Sequence, residues 1–150
     1  AGRKAQAAAG WLDFEPIAPK CLDVVTVPKG FKADVLIRWG DPLWSCKPAF
    51  DPATRGTGES QETAFGDNSD GMALFATAGG KTVLAVNNEY VNRSIMFGNR
   101  DGGKPANADD VRKGKAGHGV SVFEIAQQGG SGRSWRWCME ANERKSPLPS

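Results

Sequence analysis

The sequence predicts a mostly β protein built from short strands that are joined by turns. Nineteen glycines and nine prolines are scattered over 150 residues, which favours turns over a helical bundle. Short apolar runs rich in β-branched residues recur along the chain, and clusters of turn residues separate them. The regular spacing of these runs is typical of a sandwich, a barrel or a propeller.

The first two predicted strands lie between residues 23 and 39. The run Asp-Val-Val-Thr-Val at 23–27 is rich in β-branched residues, and the Pro-Lys-Gly that follows is typical of a turn. The segment 31–39 then resumes an extended apolar pattern. Residues 47–62 are polar and rich in glycine and proline, so we expect a loop there.

The next strands are predicted as two hairpins. Segments 72–76 and 82–86 are apolar, and Thr-Ala-Gly-Gly-Lys joins them. Segment 119–125, Gly-Val-Ser-Val-Phe-Glu-Ile, alternates cleanly between apolar and other residues, which indicates a strand. Its partner is predicted in Gly-Arg-Ser-Trp-Arg-Trp at 132–137, after a glycine-rich turn.

One helix is predicted between Asn107 and Gly117. Asn107 suits the N-cap position, and Asp109 and Asp110 would lie in the first turn, where carboxylates complement the helix dipole. Gly117 would end the helix. The basic residues towards that end are Arg112, Lys113 and Lys115.

Charge and hydropathy exclude two classes of function. The formal net charge is +2 and both signs are interspersed, so the sequence predicts no nucleic-acid partner. No segment approaches the roughly 18 apolar residues of a membrane span. The Ala-rich opening lacks the apolar core of an intact targeting peptide, and it fits either the tail of a processed export signal or a disordered mature terminus.

The three cysteines show no metal-binding or redox spacing. Cys21, Cys46 and Cys138 form no Cys-x-x-Cys pair, which argues against a zinc knuckle or a thioredoxin motif. Two interpretations stay open. Cys21 and Cys46 pair in an oxidising compartment, or all three are thiols.

Polar groups stand at the ends of three predicted apolar strands. Carboxylate and amide oxygens are the ligands that calcium prefers, and a strand end holds them rigidly. Each group also has a structural alternative: a turn, a surface ion pair of Glu89 with Arg93, or a loop histidine. The three groups are Asp67, Asn68 and Asp70 before the first hairpin, Asn87, Asn88 and Glu89 after segment 82–86, and His118, the only histidine, before segment 119–125.

The order of these motifs resembles the N-terminal part of the PhoX-type secreted alkaline phosphatases. The similarity runs from about Phe14 to Ile125 and includes "FEPIAP", "DVVTVPKGFKADVLIRWGDPL", "FGDNSDGMALFA", "LAVNNEYVN" and "VRKGKAGHGVSVFEI". The resemblance implies a β-propeller with a central calcium and iron cofactor. It also implies hydrolysis of phosphomonoesters and twin-arginine export to the periplasm, where the full-length enzyme would be a monomer.

The resemblance also implies site residues. Glu89 matches the glutamate of the family's Asn-His-Glu-Tyr motif and is the first candidate for calcium, with Asn87 and Asn88 beside it. Asn88 stands where the family's histidine is usual. Asp70 matches the acidic position of the Phe-Gly-x-Asn-x-Asp motif and is a further metal candidate. His118 matches the histidine before Gly-Val-Ser-Val and would orient a ligand or contact phosphate.

The chain departs from the family pattern in its last part. The family's cysteine–glutamate iron motif is absent, so we expect the iron ligands outside this chain. Residues 1–13 are predicted as a disordered or post-signal segment, 14–138 as leading blades of an incomplete propeller, and 139–150 as a divergent tail. We therefore expect an inactive fragment of a phosphatase. The alternatives are a non-catalytic propeller-like module that binds calcium or a partner, and another metal-dependent hydrolase on a propeller.

Overall fold

The computed structural model describes residues 14–98, 101–128 and 134–137. The chain divides into two compact units, Ala1–Val35 and Leu36–Ser150. All regular elements of the described residues lie in the second unit. They are α1 (Gly58–Gln61), β1 (Ser69–Ala76), β2 (Thr82–Asn88), α2 (Arg93–Met96), a 3₁₀ turn (Asp101–Gly103), α3 (Ala108–Ala116), β3 (Gly119–Gln128) and β4 (Ser134–Trp137).

The strands predicted between residues 23 and 39 are wrong. This segment forms no strand and pairs with no other strand of the described part. Val24 and Val25 are 68% and 80% exposed. β-Branched residues favour an extended backbone, but a strand also needs a neighbour to accept its hydrogen bonds. The predicted turn is confirmed, because the Phe31 amide donates to the Pro28 carbonyl at 3.0 Å.

The four strands form one antiparallel sheet in the order β1-β2-β3-β4. The first predicted hairpin is confirmed: the Thr77 amide donates to the Lys81 carbonyl at 2.8 Å, and Gly80 takes a φ of 72° that suits glycine. The second is confirmed by the pairing of β3 with β4, from Ile125 opposite Trp137 to Gln128 opposite Ser134. The expectation of a mainly β chain therefore holds, with a single sheet in the described residues.

Both faces of this sheet carry apolar residues, and the larger buried cluster of the second unit lies on one of them. Leu84 of β2 lies opposite Phe123 of β3, and the two side chains share one face with their alternate neighbours. Leu43 and Phe65 pack on that face, and the Phe65 and Phe123 rings meet edge to face at 5.7 Å. We call it the covered face. Phe123, with no exposed surface, lies at its centre.

The predicted helix is confirmed as α3. The Asn107 side chain accepts a hydrogen bond from the Asp110 amide at 2.9 Å, and Gly117 is the C-cap. Lys113 is buried, and its ammonium donates to the Met96 carbonyl at 3.0 Å while lying over the Trp39 ring. The helix is thereby fixed to a second apolar cluster, made of Val91, Met96 and Phe97.

The predicted loop at 47–62 contains one helical turn, α1, that the sequence analysis missed. Thr57 and Ser60 form a capping box, and the Asp109 carboxylate accepts hydrogen bonds from the Gly58 amide at 3.0 and 3.1 Å. Arg112 donates twice to the Glu62 carboxylate, at 2.6 and 2.7 Å, and these hydrogen bonds lower the pKa of Glu62. Helix α3 therefore holds α1 in place.

Candidate functional site

The register of the sheet brings the predicted polar groups to one of its ends. Asn88, the last residue of β2, pairs with Ser69 at the start of β1 and with Gly119 at the start of β3. Glu89 follows β2 directly, and His118 precedes β3 directly. His118 and Glu89 therefore lie at the same end of the sheet.

Asp67 and Asn68 hold the segment that carries Glu89. One Asp67 carboxylate oxygen accepts a hydrogen bond from the Asn92 amide at 2.7 Å. The Asn68 side chain donates to the Tyr90 carbonyl at 3.0 Å, and the Asn68 carbonyl accepts from the Glu89 amide at 3.1 Å. Asn68 takes a φ of 43°, a conformation that asparagine tolerates better than most residues.

This positioning role was missed from the sequence, where Asp67 and Asn68 were grouped with Asp70 as one polar cluster. The available signal was the Asp-Asn pair before a strand, because such residues commonly bond to nearby backbone amides. Asp70 itself lies in an irregularity of β1, where the pairing with β2 shifts between Ser69 and Met72. Its side chain is exposed.

Asn87 and Asn88 lie on opposite faces of the sheet. Asn88 is 3% exposed, and its Oδ1 accepts a hydrogen bond from the Ser121 hydroxyl at 2.6 Å. Its Nδ2 is buried and has no hydrogen-bond partner in the structure. The backbone of Gly66 lies close to the Asn88 side chain: a Cβ added at Gly66 would be 2.5 Å from Asn88 Cγ. Asn87 is exposed on the other face, so the two amides do not converge.

The predicted metal ligands provide few oxygen donors for a metal ion. The carboxylates of Glu89 and Asp70 are exposed, and Glu89 forms no ion pair with Arg93. Within residues 14–98, 101–128 and 134–137, no group of three or more histidine, cysteine or acidic side chains is arranged to hold a metal ion. Cys21 and Cys46 are exposed free thiols, and Cys138 lies outside the described residues.

His118 lines a cleft of about 420 Å³ beside α3. Its Nδ1 is 2.7 Å from the Gly114 carbonyl oxygen. Because that oxygen only accepts, the Nδ1 carries a proton, and Nε2 is the nitrogen left to contact a ligand. Arg93 and Lys115 line the same cleft, together with Asp110, which accepts a hydrogen bond from the Ala106 amide at 2.7 Å.

Comparisons with known proteins agree with the sequence motifs. A family model described as alkaline phosphatase PhoX matches residues 12–147. The chain is also similar to a solved structure of Pseudomonas fluorescens PhoX in complex with vanadate, a transition state analogue, with 43% identity and a TM-score of 0.75. The similarity covers 84% of this chain and 21% of that one, so the chain spans about a fifth of the structure that it matches.

Two further findings complete the comparison. No curated protein matches the chain. None of the helices in the described ranges has the length and apolar character that a membrane span requires.

Proposed function

This chain belongs to the PhoX alkaline phosphatase family, and we propose that it forms the N-terminal part of a metal-dependent phosphomonoesterase. The family is one of secreted or periplasmic, metal-dependent phosphatases. The observation that carries the proposal for this chain is the cleft beside His118, which one imidazole, two cationic side chains and the carboxylate of Asp110 line.

His118 has a defined role in this proposal. Its Nδ1–H donates to the Gly114 carbonyl, which orients the ring and leaves Nε2 available at the surface. A backbone carbonyl that fixes one ring nitrogen is a common arrangement for a histidine that contacts a ligand through the other. Arg93 and Lys115 add positive charge to the same cleft, and such groups favour phosphate oxygens. We therefore assign His118, Arg93 and Lys115 to phosphate contact.

Glu89 and Asp70 are the residues that we propose for calcium. Both carboxylates are exposed near the polar end of the sheet, and carboxylate oxygens suit calcium. Asn88 fits this role less well, because its Oδ1 already accepts from Ser121 in the core, and Asn87 faces away from it. The iron ligands would come from outside this chain. When bound, such ions neutralise the charge of phosphate oxygens and activate water.

The sheet itself would be one blade of a propeller. Propeller blades are four-stranded sheets arranged around a central channel, and β1 to β4 form an antiparallel sheet of that kind. In this proposal the chain supplies the leading part of an incomplete ring. The complete protein would be exported to the periplasm by the twin-arginine route and would act as a monomer.

A phosphate titration of the 150-residue chain tests the assignment of the cleft. Because His118 is the only histidine, its imidazole proton signals in an NMR spectrum belong to one residue. We expect inorganic phosphate at millimolar concentration to shift these signals in a saturable way. Arg93→Gln and Lys115→Gln should weaken the binding at least threefold, since each removes one cation from the cleft.

Lys29→Gln is the matched control, because it removes the same charge from the turn in the first unit. It should leave the titration unchanged. Signals that do not move with phosphate, or that respond equally to Lys29→Gln and Lys115→Gln, would contradict the phosphate assignment.

A non-catalytic module that binds a partner is the second candidate. The observation in its favour is the exposed apolar face of the sheet. The genomic DNA that follows codon 150 discriminates between the two. Further blades with a cysteine–glutamate motif, in any reading frame, support the phosphatase, whereas their absence favours the module.

A further inference from the structure

The cleft beside α3 has an apolar part that the phosphate contact leaves unused. Its volume of about 420 Å³ lies within the range of about 300–1,000 Å³ that is typical of small-molecule sites. A phosphate group bound to the imidazole and the two cationic side chains fills only a part of this volume. The apolar lining residues are Val91, Phe97, Pro105 and Val111.

Helix α3 places an apolar group and the phosphate contacts in sequence along one side. Val111 and Lys115 are four residues apart, so their side chains are neighbours on the helix surface, about 6 Å apart along the axis. His118 lies one residue beyond Gly117, the C-cap of the helix. A ligand whose phosphate contacts Lys115 and His118 therefore has Val111 beside its organic group.

The apolar side chains that a ligand can reach are those of Val111 and Pro105. Val111 is 48% exposed and Pro105 is exposed as well, whereas Phe97 is buried. Gly114 also lines the cleft, and a Cβ added there would be 3.4 Å from Phe97 Cζ, so the glycine leaves room above this ring. A single exposed valine is ordinary on a protein surface. Here it shares a cleft with a few polar groups, which is the usual composition of a ligand site.

Asp110 adds a negative charge to this part of the cleft. The residue directly precedes Val111, is 8% exposed, and accepts a hydrogen bond from the Ala106 amide at 2.7 Å. A carboxylate at this position repels a second anionic group on the ligand, and such repulsion is one way in which a site rejects the wrong ligand. The cleft therefore disfavours esters whose organic group is acidic.

We propose that Val111 and Pro105 form a subsite for the organic group of the substrate, and that the cleft selects phosphomonoesters whose organic group is apolar and uncharged. This inference rests on the proposed phosphate contact. Burial of the organic group supplies the preference: at about 25 cal/mol per Å², a fivefold gain in affinity requires burial of about 40 Å² of apolar surface. A polyhydroxylated group gains less, because its hydroxyls lose water without finding a partner on the two apolar side chains.

Titration of the 150-residue chain with a series of phosphates tests the subsite through the NMR signals of His118, the only histidine. The series consists of inorganic phosphate, glycerol phosphate, phenyl phosphate and 4-carboxyphenyl phosphate, at about pH 8, where phosphate monoesters carry close to two negative charges. We expect phenyl phosphate to bind at least about fivefold more tightly than glycerol phosphate. The ester with the carboxylate should bind at least about threefold more weakly than phenyl phosphate, because Asp110 repels it.

Val111→Ser and Val122→Ser are the matched variants. Val111 and Val122 are 48% and 47% exposed, but Val122 lies on β3 and does not line the cleft. Val111→Ser should reduce the preference for phenyl phosphate over glycerol phosphate to less than about twofold and leave the affinity for inorganic phosphate within about twofold, because only the apolar contact is lost. Val122→Ser should keep the full preference. Serine and valine have similar helix propensities, so α3 is retained, and circular dichroism checks this.

Three results would overturn the subsite while leaving the phosphate contact in place, provided that inorganic phosphate binds. They are equal affinity for phenyl phosphate and glycerol phosphate, a preference that Val111→Ser does not reduce, and equal affinity for phenyl phosphate and its carboxylated analogue. If neither inorganic phosphate nor any ester moves the His118 signals, the phosphate contact is wrong and the subsite is wrong with it. Val111→Ala provides the same comparison if Val111→Ser unfolds the helix.

Discussion

The two faces of the central sheet use the same strands and similar side chains, but they differ in what covers them. Leu43 and Phe65 close the covered face, where Phe123 is fully buried. On the opposite face, which we call the open face, Val83 is buried, but Phe75, Val120 and Val122 are 54%, 66% and 47% exposed. The buried cluster of the second unit lies on the covered face, and most of the open face adds little buried apolar contact in the isolated chain.

Truncation at the centre of each face should give the largest contrast. Phe123→Ala should lower the free energy of unfolding by about 3–5 kcal/mol, because it removes a buried ring and leaves a cavity. Val122→Ala should cost less than about 1 kcal/mol in the isolated chain, since little buried contact is lost. Urea unfolding followed by circular dichroism measures both. Phe123→Leu, a milder change, keeps the comparison measurable if Phe123→Ala is unfolded.

Equal losses for Phe123→Ala and Val122→Ala would contradict the distinction between the faces. That result would mean that the isolated chain already covers the open face.

Asn88 on the covered face and Asn87 on the open face allow the same comparison, with a smaller expected effect. Asn88→Ala should lower the free energy of unfolding by about 1–2 kcal/mol, because it deprives the buried Ser121 hydroxyl of its acceptor. Asn87→Ala should stay within about 0.5 kcal/mol, since its side chain is exposed on the open face. The same urea experiment compares them. A larger cost for Asn87→Ala than for Asn88→Ala would mean that the register of β2 is wrong.

The smallest expected effect is the pH dependence of the stability that the contact between α1 and α3 contributes. Arg112 lowers the pKa of Glu62 by donating two hydrogen bonds to its carboxylate. A carboxyl group whose pKa is lower in the folded state stabilises the fold at pH values above its unfolded pKa, which is near 4.5. This contribution is lost as the pH falls through the folded pKa. The contribution is modest, because the pair is exposed and solvent screens it.

Comparison of Glu62→Gln with the parent chain measures this contribution. The substitution should reduce the stability difference between neutral pH and a pH below 4.5. Glu15→Gln in the first unit provides a charge-matched control. If Glu62→Gln and Glu15→Gln change the acid dependence equally, the Arg112 contact does not hold α1.

The elements that the sequence predicted correctly are those whose signals are local. The helix at 108–116 carries its own cap and charge pattern, and the first hairpin carries its own turn. Segment 23–27 has an equally good strand composition, but no local signal tells whether another strand will pair with it. Helix α1 was missed because it is only four residues long, and a contact that holds it comes from Asp109, which is 51 residues from Gly58.

The candidate site shows the same limit. The sequence placed Glu89 and His118 at strand ends, and the register brings these two ends together. It grouped Asn87 with Asn88, although adjacent residues of a strand point to opposite faces. It also could not distinguish Asp67, which accepts a hydrogen bond from the Asn92 amide, from Asp70, which is exposed, because the separation depends on the backbone at the start of β1 and after β2.

Hydrolysis of p-nitrophenyl phosphate at alkaline pH, with calcium and iron supplied, decides whether this chain is one part of a phosphatase. We expect no metal-dependent turnover by the 150-residue chain above its Glu89→Gln control, because a site that lacks some of its ligands does not hold the reacting groups in place. In a family-length chimera, this chain replaces the matching fifth of Pseudomonas fluorescens PhoX. We expect this chimera to show metal-dependent turnover within about tenfold of that enzyme, and its Glu89→Gln variant, which loses one anionic ligand, to bind calcium more weakly. A folded, metal-loaded chimera without activity, or a 150-residue chain that turns over substrate well above its control, would contradict the claim that this chain is one part of a phosphatase.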